Sequence, residues 1–266
     1  MKTLFCLFAV GFLVLTACDS CSLSQYVIQQ KSVKTVYSDS EPITHELWDG
    51  LLKKHVSAAG KVNYKGILAD SAKLNRYLNL LGSHHPNAAH WTRNEQFAYW
   101  LNAYNAFTIK LICDNYPLKS IKDIKNGIPF VNTVWDLKFI KIEGATYDLN
   151  NIEHGIIRAN FFDPRIHCAV NCASNSCPRL LPEAFTAEKL EAQLEFAIRD
   201  FLRDTSKNVI EKNAVRLSSI FNWYQSDFTK KGSLVQFLNL YAPIKIDEKA
   251  KISYLDYDWR LNDTAD

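Results

Sequence analysis

T-R-N-E-Q-F-A-Y-W-L-N-A-Y-N-A-F-T-I-K-L-I-C, residues Thr92 to Cys113, decides how the rest of the chain must fold. Thr92 with Glu95 makes an S/T-x-x-E capping box, so a helix is expected to start here. At about 100° per residue, Phe97, Trp100, Leu101, Tyr104, Phe107, Thr108 and Leu111 share one broad apolar side. The other side mixes Glu95, Ala98, Tyr99, Asn102, Asn105, Ala106 and Cys113. Nothing before Lys110 reads as a solvated face, so the helix should be central and buried. Buried amides and carboxylates must find partners. Either they bind neighbouring backbone, or Glu95, Asn102 and Asn105 line a pocket in which Ala98 and Ala106 leave room.

Such a helix needs cover on several sides, and the flanking sequence supplies it. Helical spacing runs over residues 43–56, 70–81 and 186–203, and a shorter helix over 234–241. Residues 135–142 alternate as a strand, Glu143-Gly144 is a turn, and 145–149 return, giving a hairpin. Short strands are expected at 208–211 and 214–217, and a last one at 251–261. Asn150 should cap a helix over 151–159 that carries Glu153, His154 and Arg158. Glu153 and His154 point about 100° apart on an α-helix and make poor partners, so His154 reads as a core or interface histidine. With 266 residues, 47% hydrophobic and 22% charged, the chain has material for a sizeable core. The expected fold is α+β, a single domain over residues 42–266 with several helices packed on a small mixed or antiparallel sheet. The formal net charge of +3, without a basic stripe, argues against nucleic acid as a partner.

The polar and reactive residues concentrate at residues 165–181, R-I-H-C-A-V-N-C-A-S-N-S-C-P-R-L-L. Residues 165–171 alternate as a strand with Ile166, Cys168 and Val170 on one face and His167, Ala169 and Asn171 on the other. A turn-rich loop follows. Three readings of its cysteines compete. A Cys172–Cys177 disulfide is geometrically feasible and would stabilise by about 2 kcal/mol. Cys172 could instead be a nucleophile activated by His167, since the thiolate is the reactive form. A metal site is the weakest, because no fourth ligand is evident and the spacing is not C-x2-C. On an extended strand His167 and Cys172 would face opposite ways, so Glu95 and Asn102 are equally good partners for the imidazole.

The first residues carry an address. Lys2, an apolar run over residues 4–15 and Leu15-Thr16-Ala17-Cys18 form a secretory signal that ends in a lipobox-like sequence. The expectation is a signal peptide over 1–17, lipid on Cys18, and a polar tether over 18–41 joining the membrane to the domain. A bacterial cell envelope location follows, one that permits disulfides.

Five motifs carry a resemblance. N-E-Q-F-A-Y-W-L-N-A-Y-N-A-F (94–107), D-L-N-N-I-E-H-G-I-I-R (148–158), D-P-R-I-H-C-A-V-N-C-A-S-N-S-C-P-R-L (163–180), I-F-N-W-Y-Q-S-D-F (220–228) and Y-L-D-Y-D-W-R-L-N (254–262) resemble, in that order, the domain-of-unknown-function family 547. The resemblance runs from about residue 46 to 262. It implies an exported or lipid-anchored protein and no particular activity. It also implies that the position of Cys177 tolerates serine, which weakens the disulfide as the reason for the loop and raises Glu95, Asn102, His167 and Cys172. A faint likeness to papain- and transglutaminase-like folds stands beside it, although Glu95 occupies the helix start where those enzymes put cysteine.

Two functions remain open at this stage. One is a cell-envelope hydrolase or transferase with Glu95, Asn102, Asn105, His167 and Cys172 around a pocket, His167 as base, and no metal or cofactor. The other is a non-catalytic envelope module that binds a peptide, glycan or protein partner.

Overall fold

The computed structural model describes residues 37–125 and 133–265. The expected signal peptide, Cys18 and most of the expected tether lie outside the described residues. Among the described residues, no helix is long and apolar enough to cross a membrane.

Four helices build the first half: α1 (Glu46–His55), α2 (Tyr64–Ala69), α3 (Ser71–Gly82) and α4 (Arg93–Asn115). The capping box of α4 forms as its sequence dictates, with Thr92 and Glu95 satisfying each other's backbone N–H groups. From Phe97 to Cys113 every α4 residue except Lys110 is buried. The hairpin of β1 (Ile140–Ile142) and β2 (Ala145–Tyr147) pairs antiparallel through Glu143-Gly144, where both turn residues have positive φ. The strand expected over 135–142 is shorter, because residues 134–136 take a 3-10 turn capped by Asp136 on Thr133.

The second half packs α6 (Leu190–Arg203) and three short helices, α7 (Ile220–Trp223), α8 (Gln225–Phe228) and α9 (Leu234–Leu238), around a small sheet. Its order is β3-β4-β5, with β3 (Val209–Ile210) antiparallel to β4 (Ala214–Ser218) and β4 parallel to β5 (Lys251–Leu255). The architecture is a single α+β domain with one antiparallel and one mixed sheet. The last strand stops at Leu255, and residues 258–261 instead bond the 174–176 loop through isolated backbone contacts.

Two apolar cores result. The larger is gathered around α4 and the smaller between α6 and the mixed sheet. The segments joining them departed from expectation. Residues 164–168 form a 3-10 helix, not a strand. Asp163 accepts from the Arg165 N–H at 2.9 Å and Pro164 fixes the first helical φ, two start signals that override the apparent alternation. The roughly threefold winding turns Ile166 and Ala169 into the larger core and Cys168 into the smaller one. Residues Asn151–Arg158 form a π-helix that runs into a short α5 (Ala159–Phe161).

Candidate functional site

The π-helix, the 3-10 turn, α7, α8 and the 172–177 loop meet where the two cores join. They enclose an open cleft of about 470 Å³. Tyr104 comes to it from α4, Glu153 and His154 from the π-helix, His167 from the 3-10 turn, and Trp223 and Tyr224 from the α7–α8 region. Tyr257 and Trp259 close one wall with Trp135. Their rings form a continuous aromatic surface, with Tyr257 and Trp259 4.5 Å apart and Trp223 stacked on Trp259 at 5.8 Å.

At the floor is a buried polar cluster. His167 Nε2 lies 2.8 Å from Asp227 Oδ2. Arg158 grips the same carboxylate with two bonds, Nε to Oδ2 at 2.7 Å and Nη2 to Oδ1 at 3.0 Å. The planar fork and the planar carboxylate match, which makes this a strong and directional pair. Tyr224 stacks on the His167 ring with centroids 3.8 Å apart. Arg158 Nη1 also lies 3.0 Å from His154 Nδ1. A guanidinium can only donate, so His154 Nδ1 accepts and the neutral ring carries its proton on Nε2. By the same reasoning Asp227 can only accept, so His167 Nε2 carries the proton and Nδ1 keeps a lone pair.

That Nδ1 is buried and has no hydrogen-bond partner. Glu153 Oε1 stands 3.9 Å from it, and also 3.9 Å from His154 Nδ1, beyond hydrogen-bond range in both cases. Burial pushes His167 below its usual range, and this outweighs the opposing pull of Asp227 and Glu153. Burial does the same to His154. Burial alone would raise the Glu153 carboxyl, but His154, His167, Arg158 and the Tyr224 hydroxyl outweigh it and hold it low. Burial also opposes ionisation of Asp227, and His167 and Arg158 overcome it, holding that carboxyl far below its usual range. Near neutral pH the cluster therefore contains two carboxylates, one guanidinium and two neutral imidazoles.

The residues expected from sequence divide between this cleft and elsewhere. His167 and Cys172 line it. Glu95 does not: its carboxylate closes the capping box at 2.7 Å from both Thr92 N and Oγ1, and it borders a separate pocket beside α1. It is no orienter of His167; Asp227 is. Asn102 binds the Phe185 backbone on both sides, at 2.8 and 3.0 Å. Asn105 does the same for the site loop, donating to Ala169 O at 3.0 Å and accepting from Asn171 N at 2.8 Å. Both amides are buried clamps and not pocket walls. The papain-like expectation meets the same obstacle, since the start of α4 and His167 border different pockets.

Cys172 and Cys177 are joined in a disulfide with Cα atoms 6.3 Å apart. In that state Cys172 is no nucleophile. Cys113 and Cys168 are free and buried, and burial raises both thiols, Cys113 to about 12. The loop between the bridged cysteines is held hard. Asn171 accepts from Ala173 N at 2.9 Å and donates to Pro178 O at 2.8 Å, and Ala173 takes a left-handed φ of 61°. Asn262 buttresses Asn171 and is itself bonded by Tyr64 Oη at 2.7 Å.

Asp227, Arg158, Glu153 and Tyr224 went unrecognised from the sequence. On α-helical angles Glu153 and His154 read as poor partners for each other, and they make no hydrogen bond to one another, but the π segment presents both to the cleft. Among the described residues, no three His, Cys, Asp or Glu side chains converge as a metal ion would require.

Compared with known proteins, residues 88–202 match the model of a family described as protein of unknown function, DUF547. The match is narrower than the span of the five motifs, and Asp227 and Tyr257 lie beyond it. No curated protein and no solved structure matches the chain.

Proposed function

We propose that this chain is a cell-envelope hydrolase or transferase whose chemistry is general-base catalysis by His167. One observation carries the reading. His167 Nδ1 and Glu153 Oε1 are two buried acceptors 3.9 Å apart, with the far side of the imidazole fixed on Asp227. A species with two donors matches such a pair, and an oxygen or nitrogen about 2.8 Å from each atom completes the triangle. Water or an amine has those donors. Held there, it passes a proton to Nδ1 as it attacks, while Asp227 keeps the ring oriented and stabilises the imidazolium. A water gives hydrolysis and an amine gives transfer.

The aromatic wall supports a second reading, a binding module for a glycan or peptide that stacks on Trp223, Tyr257 and Trp259 without reacting. The envelope address rests on Leu15-Thr16-Ala17-Cys18 and its preceding apolar run, which support lipid on Cys18 and membrane attachment. Mass spectrometry of the N-terminal peptide tests that attachment: an unmodified Cys18 in protein from an exporting bacterial host refutes it.

The chemical reading is tested by offering the purified protein libraries of envelope oligosaccharides, peptides and esters and following products by mass spectrometry. The expected result is turnover of one class, reduced about 10²-fold or more in His167→Gln, the scale of a positioned general base. Binding without product, or turnover indifferent to His167→Gln, refutes it.

A further inference from the structure

We propose that the Cys172–Cys177 disulfide is a redox centre that undergoes thiol–disulfide exchange at Cys172 with an external dithiol. This goes beyond the acid–base reading and does not depend on it.

The two sulfurs are unequal. Both border the cleft, but Cys177 is only 3% exposed whereas Cys172 is half-buried. Cys172 is therefore the more accessible sulfur to an incoming thiolate. Donors then favour departure of Cys177. The Cys172 backbone N–H points at Cys177 Sγ from 3.0 Å, and the Tyr257 hydroxyl lies 3.2 Å from the same sulfur. A structural disulfide needs neither donor, because its sulfurs carry no charge. A leaving thiolate is stabilised by both, and that stabilisation speeds exchange. In the reduced state the Cys172 thiol can itself donate to Ser174 Oγ or Tyr257 Oη, each at 3.3 Å, which leaves the single Tyr257 proton for Cys177.

The steps balance. The external thiolate attacks Cys172 Sγ, a mixed disulfide forms, the Cys172–Cys177 bond breaks and its electron pair leaves on Cys177. The partner's second thiolate attacks the partner's own sulfur in the mixed disulfide. Cys172 is released as a thiolate and takes a proton, and Cys177 likewise. The chain gains two electrons and two protons, and the dithiol becomes a disulfide. Nothing else in the loop has to move first, since Asn105, Asn171 and Asn262 hold it through bonds that do not involve sulfur.

The test uses the full-length oxidised protein under native conditions, with dithiothreitol as the dithiol and quenching by a maleimide read by mass spectrometry. Expected is labelling of Cys172 and Cys177 while Cys113 and Cys168 stay unlabelled, with Cys172 captured as a mixed disulfide when Cys177→Ser is treated with an aromatic disulfide. Tyr257→Phe should slow reduction about tenfold or more, the loss of a hydrogen bond to a developing charge. If the native pair resists dithiothreitol until denaturant is added, it is a structural bridge and the proposal fails. Equal rates in Tyr257→Phe and wild type, with both folded by circular dichroism, also overturn it. Neither outcome bears on catalysis by His167.

Discussion

Replacing Asp227 by Asn changes one atom and should disturb both stability and the proposed base. The carboxylate accepts three hydrogen bonds, two from Arg158 and one from His167. Asn keeps an acceptor for Arg158 Nη2. Its amide group, however, would face Arg158 Nε–H and His167 Nε2–H, donor against donor. His167 can relieve its share by moving its proton to Nδ1 and accepting at Nε2. Arg158, with a side chain only 11% exposed, cannot. Breaking one side of a largely buried ion pair costs about 3 kcal/mol or more, which for a domain of this size lowers Tm by about 6–12 °C.

The effect has a pH signature. The folded pKa of Asp227 is depressed, so its contribution is present above the unfolded value of about 3.9 and is lost as pH falls toward the lower folded value. Wild type and Asp227→Asn should differ most near pH 7, with the difference beginning to shrink only below about pH 4 and vanishing toward the lower folded value. Thermal unfolding by circular dichroism at a series of pH values measures this, and nitrogen NMR of the imidazole reads the tautomer. A Tm within 3 °C of wild type at pH 7, or a His167 proton still on Nε2, would refute the assignment.

Three further outcomes follow from the same geometry. Asn105→Ala leaves the Ala169 carbonyl and the Asn171 N–H without their buried partner and should cost about 2–4 kcal/mol, read by urea unfolding. Glu95→Gln, at a solvent-side cap that glutamine also completes, should stay within about 0.5 kcal/mol; a larger loss would contradict a role confined to the capping box. Burial depresses His154, so folding disfavours its protonation and stability should fall as pH drops below the unfolded value of about 6.5; His154→Gln should flatten that slope, and an unchanged slope would contradict its burial as a neutral ring.

The central helix was legible because what makes it is local: a capping box and an apolar circumference. The hairpin was legible for the same reason, through Glu143-Gly144. His167 stood out by its setting. Its partners did not, because Asp227 reaches it across 60 positions and Glu153 depends on a helix wound unlike an α-helix. Period arguments assume one winding per segment, and here two of the segments that build the site, the 3-10 and π segments, violate that assumption. The Asp163-Pro164 start was readable and would have removed the parity objection between His167 and Cys172. Asp227 had a trace as well: it lies in I-F-N-W-Y-Q-S-D-F, a motif whose polar residues had no role on an otherwise apolar segment.

The irregular windings also explain why a polar cluster persists at the seam of two apolar cores. Glu153 and His154 sit side by side on the π segment at 151–158. The π turn lets both face the cleft, where Tyr224 and Arg158 are available to them. Arg158 then cannot move without releasing Asp227, and Asp227 cannot move without releasing His167. The ion pair thus fixes the imidazole from the smaller core while Asn105 fixes the following loop from the larger one. Orientation of His167 requires both cores to be folded and docked. A perturbation at the Arg158–Asp227 pair should therefore reach the base before it unfolds either core.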